Sequence, residues 1–273
     1  MKIVSKGGTL SSFEYLEKKQ KATRKRRIIY SVSTFIILVA LVLVSRLEKL
    51  RITEVRVEGA VVTGADPVSS AMREIISGYY LWIIPRNNTL LYPRGHAEKV
   101  LAERFPRFSS VEISLDNSRR LAVSVVEREP TALYCANSET CWFLDEQGFV
   151  FDTAPTFSEG VYFLYTMEPV VESPLGKPLL PLPEFQAVSE FVLHLNTLGI
   201  EPLTLQIGEM DLVLTSASGA RLTWTRGSDT ERIYNNLQSF LNSPSIEAEE
   251  DFLAKVVELD LRTEDKVFYR FNE

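Results

Sequence analysis

The side chains best suited to chemistry in this sequence do not form a recognisable catalytic pattern. The histidines are His96 and His194, and neither lies near a serine or cysteine in a nucleophile motif. An acidic run at residues 247–251 offers paired carboxylates of the kind that hydrolyse glycosidic bonds. A solvated charge run is the more ordinary interpretation of such a segment. We therefore predict that the protein is not an enzyme and that it uses no cofactor or metal.

The cysteines are Cys135 and Cys141, and five residues separate them. Asn137 and Ser138 lie in this gap and favour a turn. If the flanking segments pair as a hairpin, the two sulfurs meet and form a disulfide in an oxidising compartment. The alternative is two free thiols. Two thiols do not form a zinc site without further ligands, which the distant histidines do not offer in sequence.

The chain contains one long apolar stretch, from Ile28 to Val44, with no charged residue. As a helix, 17 residues span roughly 26 Å, slightly less than a hydrocarbon core of about 30 Å. Arg27 and Arg46 flank the stretch, and their long side chains reach the headgroups. We predict a transmembrane helix over residues 28–45, with a buried helix of a soluble domain as the alternative.

Charge predicts the orientation of this helix. Residues 1–27 contain nine Lys or Arg and two Glu, a net charge of +7, which the positive-inside rule keeps in the cytoplasm. A cleaved signal peptide would have a shorter basic region and a small-x-small site after the apolar run. We therefore predict an uncleaved signal-anchor. The remainder of the chain has 21 basic and 34 acidic residues, a net charge of −13, which does not favour nucleic acid or anionic lipid as a partner.

After a connector over residues 46–50, the sequence predicts the order β-α-α-β-β. Valines alternate with charged residues in the strand that ends at Gly59, and Asp66 and Pro67 begin a helix. A second helix starts near Pro93, and two alternating strands follow it. The apolar residues 79–84 between the helices are predicted to pack under them. The two helices and one face of the sheet make a two-layer α+β domain.

From residue 131 the pattern is rich in strands. Two short strands flank the cysteine turn, and a turn at residues 145–148 precedes a third. The proline-dotted segment 154–183 is predicted to form strands and loops at a surface. A helix ending at Gly199, three short strands between residues 203 and 225, and a helix capped by Ser228 or Asp229 follow. Two strands, residues 256–262 and 267–271, complete the prediction.

Several of these segments resemble the FtsQ/DivIB family of bacterial cell-division proteins. The Val-Arg-Val-Glu-Gly segment at 55–59, the Phe-Pro at 105–106 and the Val-Glu-Arg-x-Pro segment within 123–130 resemble its POTRA domain. The Asp-x-x-Gly-x-Val-Phe segment at 145–151 and the Leu-Asp-Leu-Arg segment at 259–262 are similar to parts of its second, β-rich domain. The chain departs from the family at two places. In the turn at 115–120 the family often has a segment with Trp or Pro, and this chain has neither. At position 263 the family usually has Tyr, and this chain has Thr263.

The resemblance implies a bitopic scaffold of the division machinery, at the septum of the plasma membrane. It also implies partners: an FtsB/FtsL-like pair that adds a strand to the C-terminal hairpin, and other division proteins at the POTRA domain. No nucleic acid or small-molecule substrate is expected. The residues predicted to bind the partner lie in or beside the last strand: Leu261, Arg262, Thr263, Val267, Phe268, Tyr269, Arg270 and Phe271.

The predicted fold class is therefore α+β, with one transmembrane helix before two outer domains. The boundaries are a cytoplasmic tail at 1–27, the helix at 28–45, the connector at 46–50, a POTRA domain at 51–128 and a β-domain at 129–273. Two other functions stay open. A membrane-tethered cell-wall hydrolase needs a catalytic constellation, and a POTRA-bearing transport component needs a run of lipid-facing strands.

Overall fold

A computed structural model describes residues 12–117, 119–155, 162–249, 251–263 and 265–271. The structure is mixed α+β, with one long N-terminal helix and a large mixed sheet. The chain divides into two compact units. The first extends to Glu58 and adds Ala65–Ala97 and Ile113–Val123, whereas the second comprises Gly59–Gly64, Glu98–Glu112 and the chain from Ser124.

The first helix, α1, runs from Ser12 to Ser45. It is longer than the predicted 28–45, because the Lys, Arg, Gln and Glu residues of the basic tail are good helix formers and continue it. The first eleven residues of that tail lie outside the described part of the chain. Within α1, the 27 residues Lys19–Ser45 are long and apolar enough to cross a membrane, and this is the one such helix among the described residues.

Five strands and two helices follow before the larger sheet. In chain order they are β1 (Glu54–Glu58), α2 (Ala65–Ile75), β2 (Tyr79–Tyr80), β3 (Ile84–Pro85), α3 (Arg94–Arg104), β4 (Phe108–Asn117) and β5 (Arg120–Glu127). Strands β1, β5 and β4 form a sheet in that order, and β2 pairs with β3 in a separate hairpin. Ser118, in the predicted turn between β4 and β5, lies outside the described residues. The apolar positions of α2 are buried as their helical spacing predicts, with Val68 and Met72 fully enclosed.

The prediction that residues 79–84 pack under the helices is wrong for the turn of this hairpin. Leu81 and Trp82 are 84% and 94% exposed, and Ile83 is also exposed. The main-chain N–H of Ile83 donates to the Tyr80 carbonyl at 3.0 Å, and both residues between them have positive φ, +47° and +66°. This turn directs the two side chains outward, so apolar composition alone misplaced them.

The large sheet has ten strands in the order β10-β8-β7-β6-β9-β11-β12-β13-β14-β15. Its strands are β6 (Ala132–Cys135), β7 (Cys141–Leu144), β8 (Phe149–Ala154), β9 (Phe163–Met167), β10 (Lys177–Pro178), β11 (Pro202–Ile207), β12 (Asp211–Ser216), β13 (Arg221–Thr225), β14 (Val256–Asp260) and β15 (Phe268–Phe271). The helices are α4 (Leu182–Leu195), α5 (Thr230–Leu241), α6 (Pro244–Glu247) and α7 (Phe252–Lys255).

One core joins this sheet to α4 and α5, with Phe191 of α4 edge-on to the buried Trp224 of β13 at 5.0 Å. Asp229 caps α5 as predicted, since its carboxylate accepts the Arg232 N–H at 3.1 Å. The surface interpretation of residues 154–183 is wrong for β9. This strand lies in the middle of the sheet, parallel to both β6 and β11, and Tyr165 on it is buried. Residues 156–161 lie outside the described part of the chain.

Candidate partner-binding site

The C-terminal strand β15 is the end strand of the ten-stranded sheet. It pairs antiparallel with β14, with Tyr269 opposite Leu259 and Phe268 opposite Asp260. Strand β14 is held in turn by a parallel pairing with β13. In the described part of the chain, no strand pairs with the other side of β15. Since N–H and C=O groups alternate in direction along a strand, every second residue of β15 presents them away from β14.

On one face of the strand, four aromatic rings form a cluster. The rings of Tyr269 and Phe271 lie 5.3 Å apart, and each meets the Phe252 ring edge-on, at 5.4 and 5.6 Å. Phe240 of α5 completes the cluster, 5.7 Å from Tyr269. Phe252 is buried, but Tyr269 and Phe271 are 46% and 36% exposed. The cluster is therefore anchored in the core and open at the sheet edge.

The other face of β15 is mixed in character. Phe268 is 55% exposed, and Arg270 extends across the sheet to Glu258 on β14, with 2.7 Å between Nη2 and Oε2. This ion pair is largely solvated, so it contributes little stability. A charged side chain on an end strand does oppose unspecific strand pairing. The face thus offers one apolar ring and one cation next to the free backbone.

The predicted residues before β15 have structural roles. Leu261 is buried and Val267 is partly buried against the same core. Arg262 donates to both carboxylate oxygens of Asp260, at 2.9 and 2.6 Å, and to Asp211 at 3.3 Å. These hydrogen bonds from Arg262 hold the pKa of Asp260 below its usual value. Thr263 is exposed.

Leu261, Arg262 and Val267 therefore pack and bond at the base of the hairpin. A small cavity of about 190 Å³ lies there, lined among others by Arg262 and Val267. Of the eight predicted residues, the structure therefore brings Phe268, Tyr269, Arg270 and Phe271 to the free edge. Whether this edge binds a partner stays a prediction.

The cysteines lie at the end of the hairpin formed by β6 and β7. Cys135 is directly opposite Cys141 in the register, with 4.1 Å between their Cα atoms, and a disulfide joins them. Asn137 shapes the turn, since its side-chain oxygen accepts the N–H groups of Glu139 and Thr140. The disulfide thus links the two strands of an interior hairpin at its turn end, and it is far from β15 in the sequence.

Two of the segments that carry the family resemblance meet in space. Arg128 of the Val-Glu-Arg-x-Pro segment is ion-paired with Asp145 of the Asp-x-x-Gly turn, and both side chains are largely buried. The guanidinium also lies over the Phe149 ring at 4.2 Å. The other carboxylate oxygen of Asp145 accepts the N–H groups of Gln147 and Phe149, both at 2.9 Å. The sequence pattern of these two segments does not predict this contact.

The histidines do not take part in any cluster of potential catalytic groups. His194 packs beside Tyr234, with 5.6 Å between the ring centroids, and His96 is exposed. Among the described residues, no group of three or more His, Cys, Asp or Glu is placed to hold a metal ion. No protein-family model matches the sequence, and no curated protein matches it either.

Proposed function

We propose that this protein is a membrane-anchored scaffold that binds a partner strand along the free edge of β15. The observation that carries this proposal is the end position of β15 together with its exposed aromatic side chains. Proteins commonly protect such an edge strand with charged residues, proline or a covering element, because unpaired backbone groups and apolar side chains attract other chains. Here Arg270 is the one charge on the strand, and three of its four residues are aromatic.

The partner would add an antiparallel or parallel strand beside β15. Backbone hydrogen bonds supply affinity in this mode, and alternate side chains choose the partner. On the face of Tyr269 and Phe271, a matching strand would present apolar residues that cover the two rings. On the opposite face, an acidic residue would pair with Arg270 and an apolar one would cover Phe268. The expected partner segment therefore alternates large apolar residues on one face with mixed residues on the other.

The anchor is α1, which supplies a span of sufficient length and apolarity. The excess of basic residues before it supports a cytoplasmic N-terminus, with both compact units outside the cytoplasm. In that orientation the disulfide between Cys135 and Cys141 would be in an oxidising compartment. The resemblance to FtsQ/DivIB supports a role at the division septum. It also supports a POTRA domain within this chain and an FtsB/FtsL-like pair as its binding partner.

The test is titration of the full-length protein in detergent micelles with the FtsB-like protein of the same cell. Tyr269→Ala removes part of the aromatic cover, and we expect a Kd about tenfold higher or more, equivalent to 1.4 kcal/mol. Proline is then placed at Tyr269 and, separately, at Arg270. Since neighbouring residues direct their N–H groups to opposite sides, one proline removes an outward donor and the other removes a bond to β14.

The outward proline should abolish binding while the melting temperature stays within a few degrees of the wild type. The other proline variant, which loses a bond to β14, should also weaken binding, and it should lower the melting temperature. Tyr79→Ala is the matched control, because Tyr79 is an exposed tyrosine on a different strand. Unchanged affinity in Tyr269→Ala and in both proline variants would place the partner elsewhere and reject the proposal.

A further inference from the structure

The turn between β2 and β3 exposes the most solvent-accessible tryptophan of the described chain. We call residues 81–83 the hairpin tip. Leu81 and Trp82 both have positive φ, which is unfavourable for side chains with a Cβ and usual for Asn or Gly. Instead of such turn formers, the sequence has two large apolar residues here, and they point into solvent. A strained turn that exposes its side chains indicates that those side chains have a function of their own.

The hairpin tip is bound to the end of α1. Arg46 follows the last residue of the helix, and its guanidinium donates two hydrogen bonds to the Ile83 carbonyl, at 3.2 and 3.1 Å. The base of the hairpin is closed by the Arg86 N–H, which donates to the Gly78 carbonyl at 3.0 Å. The carbonyl that Arg46 binds therefore belongs to the residue directly after Trp82, and Arg46 is the first residue after α1.

A second set of bonds fixes the same arrangement. The side-chain amide of Asn88 donates to the Ser45 carbonyl at 2.8 Å, which satisfies a main-chain acceptor at the helix end. The Thr89 N–H donates to the Leu50 carbonyl at 2.9 Å. Asn88 and Ser45 are both buried, so these bonds are shielded from water. Asn88 thus caps the C-terminal end of α1, and it holds the hairpin beside the helix terminus.

The surroundings of the hairpin tip have the composition of a membrane interface. Further large apolar side chains of the same unit are exposed: Leu90 and Leu91, which follow the hairpin in the chain, and Leu47, which follows Arg46. Basic residues accompany them at positions 46, 49, 51 and 86, with Glu48 the acidic residue of the connector. Lipid phosphates attract such cations, and tryptophan favours the headgroup level, where its ring is apolar and its N–H finds acceptors.

We propose that the hairpin tip inserts into the outer headgroup region of the same membrane that α1 spans. This inference rests on the membrane anchor of the proposed function. From Ile28 to Val44 the apolar run covers roughly 26 Å, so Arg46 lies at the boundary of the hydrocarbon core. The hydrogen bonds from Arg46 to Ile83 hold the turn at that level. Continuity with α1 favours lipid over a protein partner as the occupant of this surface.

The experiment uses the full-length protein in vesicles of phosphatidylcholine and phosphatidylglycerol, with bromine atoms placed either near the headgroup end or near the tail end of the acyl chains. The sequence contains three tryptophans, so the emission of Trp82 is obtained as the difference between the wild type and Trp82→Phe. A second variant adds Phe35→Trp to Trp82→Phe. Phe35 lies in the middle of the apolar run and reports on insertion of α1 itself.

We expect the Trp82 emission to be blue-shifted, protected from aqueous acrylamide, and quenched more by shallow than by deep bromine. The Phe35→Trp emission should be quenched more by deep bromine. If Trp82 is open to acrylamide and unaffected by both lipids while Phe35→Trp is quenched, the hairpin tip does not enter the membrane and α1 still spans it. If neither emission is quenched by the brominated lipids, α1 does not span the membrane. That result rejects both the proposed membrane anchor and the insertion of the hairpin tip.

Discussion

Replacing Arg128 by methionine should destabilise the protein more than any substitution of an exposed charge. Asp145 keeps its two turn hydrogen bonds in this variant but loses the partner of its other oxygen, in a site where the carboxylate is only 7% exposed. Removing one partner of a buried ion pair costs about 3–5 kcal/mol, because the remaining charge is left desolvated. For a chain of this size that loss lowers the melting temperature by roughly 6–20 °C.

The reasoning is tested by a double-mutant cycle. Asp145→Asn alone keeps an oxygen for the Gln147 and Phe149 N–H groups, and it leaves Arg128 bonded to the Pro106 carbonyl at 3.2 Å. Its expected cost is smaller, about 1–3 kcal/mol. Arg128→Met combined with Asp145→Asn has no buried charge and should recover at least half of the loss in Arg128→Met.

The assay is urea unfolding of the full-length protein in micelles, followed by near-ultraviolet circular dichroism, which reports on packing around the buried Trp224. A coupling free energy of roughly 1–3 kcal/mol between the two positions is the expected result. Additive losses, or a cost below about 1 kcal/mol for Arg128→Met, would show that water screens the pair and that burial does not determine its strength.

Two further changes concern the segment that precedes α2. Gly59 has φ +88°, and a Cβ there would lie 1.9 Å from the Val125 carbonyl oxygen, so Gly59→Ala should cost at least about 3 kcal/mol in urea unfolding. Gly78→Ala is the matched control, because Gly78 has φ +85° but nothing within 4 Å, and only backbone strain of about 1–2 kcal/mol applies; equal losses would contradict the clash. Burial opposes ionisation of Glu127, but hydrogen bonds from the Thr63 hydroxyl and the Val62 and Thr63 N–H groups outweigh it and lower the pKa of Glu127. The difference in unfolding free energy between wild type and Glu127→Gln should therefore be constant above pH 4.5, which is the ordinary pKa of a glutamate side chain. It should shrink as the pH falls through the lowered pKa of Glu127. A difference that grows on acidification would contradict this assignment.

Local patterns in the sequence predicted the elements whose stabilising contacts are close in the chain. The hairpin of β11 and β12 alternates buried and partly buried residues along most of its length, and Asp229 marks the start of α5. The same applies to the hydrophobic positions of α2. Each of these features depends on neighbours within a few residues, so single-sequence reasoning can find it.

Features set by distant partners were not predictable in this way. Strand β9 pairs in parallel with both β6 and β11, which no turn or spacing near residue 163 indicates. The ion pair of Arg128 and Asp145 likewise depends on a tertiary approach. At the candidate site, the aromatic composition of 268–271 was visible in the sequence, but the position of this strand at the end of the sheet follows only from the full strand order.

The two ends of the large sheet differ in their capacity to grow. Strand β10 at one end has two residues, Lys177 and Pro178, and the proline lacks a main-chain donor. Strand β15 at the other end has four residues with donors throughout. The β10 end therefore offers fewer main-chain donors to an added strand than the β15 end does. If a partner strand binds at β15 as proposed, a second copy of this protein that paired through its own β15 would compete with that partner for the same edge.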